Sequence, residues 1–248
     1  MNDSRFSDTA LDDFDTLDPL DLIEDDSSDR PDPDAMLELL TSENLQEQIQ
    51  GVRAFCEITD SRAIPLLIER LNHTCPLIRV SAAYALGRNT HLSAVQPLIS
   101  SLQNDWNGYV RKGVVWALGN SGDRNAFEPL VHALKHDIAA VRLWSASSIA
   151  NIAKLDYEDI IAVIPILIMT LRQDAIAAVR SNCAWTIGQL CRELPCNVIY
   201  NTAIDALIEA LVEDEDLGVK EDAKASLLKL GDPRGLQTIE DLEFEGII

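Results

Sequence analysis

The chain has 248 residues, 47% of them hydrophobic but only 5% aromatic, and a formal net charge of −21. So acidic a chain is repelled by nucleic acid and by anionic membrane surfaces, which excludes both as expected partners. It has no apolar run long enough to span a bilayer and no recognisable secretory leader, so the expectation is a cytoplasmic protein.

The first element is a tail, residues 1–33. Residues 1–34 hold thirteen Asp or Glu against Arg5 and Arg30, a charge of −11 that leaves −10 for the remainder. Clusters such as Asp25-Asp26-Ser27-Ser28 and Pro31-Asp32-Pro33 predict disorder. Leu11, Phe14, Leu17, Leu20, Leu22 and Ile23 are embedded in it. Two readings stand: a solvated tail, or an acidic-apolar segment that docks on a partner or on the chain's own groove.

From residue 34 to 248 the chain repeats itself. Ile78-Arg79-Val80-Ser81-Ala82-Ala83-Tyr84-Ala85-Leu86-Gly87 returns as Val110-Arg111-Lys112-Gly113-Val114-Val115-Trp116-Ala117-Leu118-Gly119. It returns again from Val141-Arg142, Val179-Arg180 and Val219-Lys220. A period of about thirty to forty residues is that of helical solenoids. Each unit is predicted to hold two helices. The first carries a proline, Pro65, Pro97, Pro129 or Pro165, expected in its first turn where the missing N–H costs little. A turn with Asp105, Asp137, Asp174 or Asp214 follows, and the second helix is the repeated phrase. Gly119 and Gly188 are expected to end their helices, with Gly122 and Gly231 as the further stopping points. A degenerate first unit spans about 34–60, and a helix near 234–245 is expected to cap the array. The predicted fold is all-α, a right-handed α-solenoid of five to six helical pairs behind a disordered acidic tail.

Placing each second helix on a wheel of about 100° per residue separates two sectors. Counted from the basic residue, positions −1, +3, +6 and +7 cluster as the core. They are Val110, Val114, Ala117 and Leu118 in one unit, and Val179, Cys183, Thr186 and Ile187 in another. Position +5 lies opposite and holds Tyr84, Trp116 and Trp185. Position +9 holds Arg88, Asn120, Asn151 and Gln189, and position +2 adds Trp144. These eight residues are the candidate protein-binding groove, because large rings with polar neighbours are the composition of a binding hot spot. The other placement open to the rings is between successive helices. Arg79, Arg111, Arg142 and Arg180 are read as structural, pairing the turn aspartate of one unit with the arginine of the next.

Chemistry is sparse. There is no Gly-rich phosphate loop and no GxSxG elbow, so no catalytic residue is assigned. None of the four histidines is followed by Glu, which disfavours the His-Glu di-iron chemistry of the repeat enzyme deoxyhypusine hydroxylase. His132 and His136 stand four apart on one predicted helix, too few ligands for a metal site. Cys56, Cys75, Cys183, Cys191 and Cys196 form no CxxC pair and read as reduced thiols.

The phrases VRVSAAYALG, VRKGVVWALG and GDPRG resemble HEAT-type repeats of the phycobilisome-lyase class over about 34–240. The stretches Gln103–Asn120, Ala178–Pro195 and Asp214–Gln237 resemble cyanobacterial HEAT-repeat proteins that interact with the A-type iron–sulfur carrier IscA. That resemblance implies a non-catalytic scaffold for an IscA-like carrier. It implies no cofactor of its own, with at most indirect contact to an iron–sulfur cluster or bilin carried by a partner, for which Cys191 and Cys196 are the thiols to consider. The related E/F-type phycobilin lyases imply an alternative, a lyase component or chaperone acting on a phycobiliprotein, with Arg88 pairing a bilin propionate.

Overall fold

The computed structural model describes residues 31–152 and 155–246. The expectation of a disordered tail over 1–33 falls outside this range as far as residue 30, while Asp32 and Pro33 already cap and open α1. Among the described residues there are thirteen α-helices and no strand. They form six pairs: α1 Pro33–Thr41 with α2 Leu45–Ala54, α3 Ala63–Arg70 with α4 Pro76–Arg88, α5 Leu92–Asn104 with α6 Gly108–Ser121, α7 Phe127–His136 with α8 Ala139–Ala150, α9 Tyr157–Gln173 with α10 Ala177–Leu190, and α11 Val198–Glu213 with α12 Leu217–Leu230. Helix α13, Pro233–Phe244, closes the array.

Short polar side chains start the helices. Asp32, Asn44, Asn107, Asn197, Asp216 and Asp232 each accept an amide N–H of the first turn. Asp156 and Asp159 form a reciprocal capping box at α9, satisfying donors that a helix start leaves open. Two boundary expectations change. Pro65 and Pro129 do lie in first turns, but Pro97 and Pro165 sit inside α5 and α9. The His91 cap and the Asp156 capping box start those helices further upstream, and each proline costs one interior hydrogen bond. Gly119 and Gly188 do not end helices either. The stops are Gly122 and Gly231, in left-handed conformation at φ 62° and 66°, which a residue without Cβ adopts freely.

Gly119 and Gly188 have another purpose. A Cβ on Gly119 would stand 2.6 Å from Ser148 Oγ, and one on Gly188 would stand 2.4 Å from Ser226 Oγ. The serines use that proximity. Ser148 Oγ donates to Val115 O at 3.1 Å, and Ser226 Oγ donates to Ala184 O at 3.1 Å. Small residues thus let α2, α4, α6, α8, α10 and α12 pack tightly side by side, while α3, α5, α7 and α9 touch one another far less and only α9 and α11 among the first helices meet closely. Layers that differ in spacing bend toward the closer one, so the second helices line the inner side of the curve. The core lies between the layers, and the wheel's core positions are all buried there: Val110, Val114, Ala117, Leu118, Val179, Cys183, Thr186 and Ile187.

The candidate binding face and the rungs that set it

A ladder of ion pairs fixes the spacing between units. Arg79 grips Asp105 at 2.6 and 3.0 Å, Arg111 grips Asp137 at 2.7 and 2.6 Å, Arg142 grips Asp174 at 2.7 and 2.8 Å, and Arg180 grips Asp214 at 2.8 Å twice. Each is bidentate, the strongest geometry for this pair. The remaining guanidinium nitrogen donates to a carbonyl of the arginine's own turn: His73, Asp105, Asp137 and Asp174 in order. The arginine therefore reaches forward to the aspartate of the following unit, so the direction of pairing is the reverse of that expected from sequence. Lys220 occupies the same position in the last unit and bonds the Val212 carbonyl of its own unit instead.

The rungs are electrostatically set. Burial by itself would raise the Asp174 carboxyl, but the Arg142 bond and the Ile176 N–H outweigh it and hold it below the usual carboxylate range. The Arg180 bond does the same for Asp214 against burial.

The second-helix layer carries the candidate groove, and its residues separate into three groups. Tyr84 is buried, 3% exposed, which corrects its placement in an open groove. Its ring meets Trp116 at 5.4 Å between centroids and lies over Gly113 of the next helix. The wheel assumed one buried face per helix, but an inner-layer helix is also covered by its two neighbours. Trp116, Trp144, Trp185 and Gln189 are half-buried. The Trp116 ring uses the gap at Gly87, where a Cβ would come within 2.4 Å of it. Arg88, Asn120 and Asn151 are exposed. Arg88 Nε bonds Cys56 O at 3.1 Å and Asn120 Nδ2 reaches Gly87 O at 3.4 Å, each tying its helix to the preceding one.

Sequence reasoning passed over two residues. Lys112 is 4% exposed, and its ammonium lies 5.9 Å from the Trp144 ring centroid. It has no hydrogen bond or ion pair among the described residues. Its signal was a basic residue at +1 facing the ring at +2 of the next unit. Trp106, in the turn before α6, is 76% exposed, with the Arg79 guanidinium 5.7 Å from its ring. Tyr109, Ile138, Ile176 and Leu217, at or near the starts of α6, α8, α10 and α12, are exposed as well.

The other candidate groups stand apart from this layer. His132 and His136 are adjacent on α7, rings 4.8 Å apart, beside a cleft of about 450 Å³ that also touches Gln103, Pro129 and Arg111. No group of three or more His, Cys, Asp or Glu suited to a metal ion occurs among the described residues. None of the five cysteines is in a disulfide. Burial raises the Cys183 thiol and pushes Cys191 up to about 12. Cys191 is buried while Cys196 is exposed, so the two thiols do not present a common face. None of the described helices is long and apolar enough to cross a membrane.

The HEAT-repeat family matches residues 33–112 and 95–188. The chain belongs to it. No curated protein matches the sequence. Among solved structures, a designed armadillo repeat protein in complex with the peptide (KR)4 is 21% identical, covering 80% of this chain and 98% of that one, with a TM-score of 0.60. The complex of CpcE and CpcF of phycocyanin lyase from Nostoc sp. PCC7120 is 19% identical over 88% of this chain and 85% of that one, TM-score 0.61. Kap121p bound to Ste12p is 15% identical over 85% of this chain and 24% of that one, TM-score 0.64. At these identities the likeness is one of fold.

Proposed function

We propose that this protein is a non-catalytic scaffold that holds a segment of another protein along its second-helix layer, and that the partner is an IscA-like A-type iron–sulfur carrier. The observation that carries the scaffold reading is the surface left over after folding. Trp116, Trp144 and Trp185 are half-buried and sit among exposed Arg88, Asn120 and Asn151 on one layer. Rings fixed by packing, with hydrogen-bonding groups beside them, give a partner large contact area at little ordering cost. Repeat-array neighbours that hold a peptide or a protein partner support the mode of binding. The choice of carrier rests on the sequence resemblance.

A second reading is a phycobilin-lyase component, favoured by the fold likeness to the CpcE–CpcF complex. The same rings would then stack a linear tetrapyrrole and Arg88 would pair a propionate. Two titrations separate the readings. The scaffold reading expects saturable binding of a purified A-type carrier, weakened by about 2 kcal/mol in Trp144→Ala and in Trp185→Ala. It expects no shifted visible band with phycocyanobilin. Carrier affinity unchanged in both variants, measured on protein whose melting curve shows it folded, would remove the proposed face.

A further inference from the structure

The second-helix layer differs from the rest of the molecule in charge. Helices α4, α6, α8 and α10 contain no Asp or Glu at all, in a chain of net charge −21. Acid returns at α12 with Glu221 and Asp222, which bounds the neutral stretch. Four of the cations on these helices, Arg79, Arg111, Arg142 and Arg180, are consumed by the rungs. Two are not. Arg88 is exposed and bonds only a carbonyl. Lys112 is almost wholly buried against the Trp144 ring, with no carboxylate or acceptor among the described residues. A ring face offers that cation only part of what a carboxylate would. Neither of the two charges on this face is therefore met by a carboxylate among the described residues.

We propose that residues 11–23 of this same chain occupy that face, and that it selects acidic segments with regularly spaced apolar anchors. The inference rests on the reading of the second-helix layer as a binding face. The segment supplies what the face lacks. Leu11, Phe14, Leu17, Leu20 and Ile23 recur at every third residue, with Asp12, Asp13, Asp15, Asp18 and Asp21 between them. A polyproline-type helix has 3 residues per turn and rises about 3.1 Å per residue, so it puts all five anchors on one side, about 9 Å apart. Neighbouring packed helices stand about 8–10 Å apart, so one anchor meets each inter-helix furrow. Pro19 suits that conformation and opposes an α-helix. The seven residues from Glu24 to Arg30 can span up to about 25 Å when extended, more than twice the spacing of about 8–10 Å between packed helices. The carboxylates exposed on α7, α9 and α11 repel the segment, so charge favours this face over the first-helix layer.

The test uses the full chain and a synthetic peptide of residues 8–26. Phe14→Ser, Leu17→Ser and Leu20→Ser together weaken the chain's own segment without touching the helices. The peptide is expected to bind this triple variant about tenfold more tightly than it binds the unaltered chain, where the face is already occupied. Adding Arg88→Glu, an exposed change, should abolish that binding, and Lys112→Glu should do the same if it melts normally. The unaltered chain should sediment as a monomer. Equal peptide affinity for both chains, or no binding to either, overturns the proposal. So does a dimer that dissociates only in the triple variant, which assigns the segment to a second copy. Carrier binding measured on the triple variant keeps the two readings distinguishable. If the carrier binds and the peptide does not, the inference fails while the scaffold reading stands; if the peptide binds and the carrier does not, the reverse holds.

Discussion

The two helix layers come from the same repeat and have opposite surfaces. The second helices α4 to α10 meet through Gly, Ala and Ser, carry no acid, and keep Trp116, Trp144 and Trp185 half-buried at the face. The first helices carry most of the interior prolines and, in α7, α9 and α11, exposed or partly exposed carboxylates; a cleft of about 450 Å³ opens between α5 and α7. Close packing demands small, uncharged contacts, and those same demands leave a neutral face on an acidic molecule. A surface of that kind arises from the geometry of stacking, and function then needs only to place rings and a few polar groups on it.

The largest effect should come from the joint between units, because it serves both layers. Asp105 is 6% exposed and Arg79 8% exposed in their rung. Arg79→Ala leaves that buried carboxylate with the Asn107 N–H but without its charge partner, a change worth about 3–5 kcal/mol. Denaturant unfolding should show the loss in the midpoint. A cost below about 1 kcal/mol, the range of exposed pairs, would mean that the rungs decorate the edge without holding it.

The next effect sharpens the contrast in spacing. In Gly119→Ala the new methyl meets Ser148 Oγ at 2.6 Å and Ser148 Cα at 2.9 Å. Overpacking of this kind costs up to about 3 kcal/mol, and the helix propensity gained by replacing glycine returns about 1 kcal/mol. A net loss of about 2 kcal/mol is expected. The corresponding enlargement in the other layer, Ala162→Leu on the exposed side of α9, should stay within about 0.5 kcal/mol. Equal costs in the two layers would erase the difference in packing on which the curvature depends.

Acid offers a third probe of the rungs. Asp174 and Asp214 have folded pKa values held below the ordinary Asp value of about 3.9. The unfolded chain therefore takes up protons first as pH falls. The stability these pairs contribute is complete above about pH 4 and drains away as pH drops through their lowered values. Thermal melts between about pH 5 and pH 2 should show the decline, and it should be shallower in Arg180→Ala, in which the Asp214 shift has lost its main cause.

How much of this was legible follows from which contacts are local. Core positions such as Val110, Val114 and Leu118 repeat with helical period, so the wheel finds them. The rung arginines announce themselves because each sits at a fixed distance from a turn aspartate, although only the structure shows that they reach forward. The rings were harder. Tyr84 falls on the outer sector of its own helix and is nevertheless buried, because Trp116 and Gly113 of the next unit cover it. The available signal was glycine at +2 and +8, at Gly113 and Gly87, set against a ring in the adjacent unit. Lys112 was hidden for the same reason: its partner, Trp144, lies one unit on. Properties of a single helix could be read, and properties of the furrow between two could not.

The smallest effect belongs to the first-helix layer. Arg172 on α9 reaches Glu209 on α11 at 2.6 Å, and the two side chains are 43% and 40% exposed. The geometry is as short as that of any rung, so distance alone would rank the two alike. Exposure decides otherwise. Water screens this pair, and holding two long side chains in one arrangement costs entropy, so exposed pairs contribute about 0–1 kcal/mol. Arg172→Ala should therefore shift the unfolding midpoint by no more than that, and 0.5 M salt should remove what shift there is, while the Arg79 rung keeps most of its contribution in salt. A loss from Arg172→Ala as large as that from Arg79→Ala would show that the first helices are coupled as tightly as the second, and the distinction between a holding layer and a binding layer would fall with it.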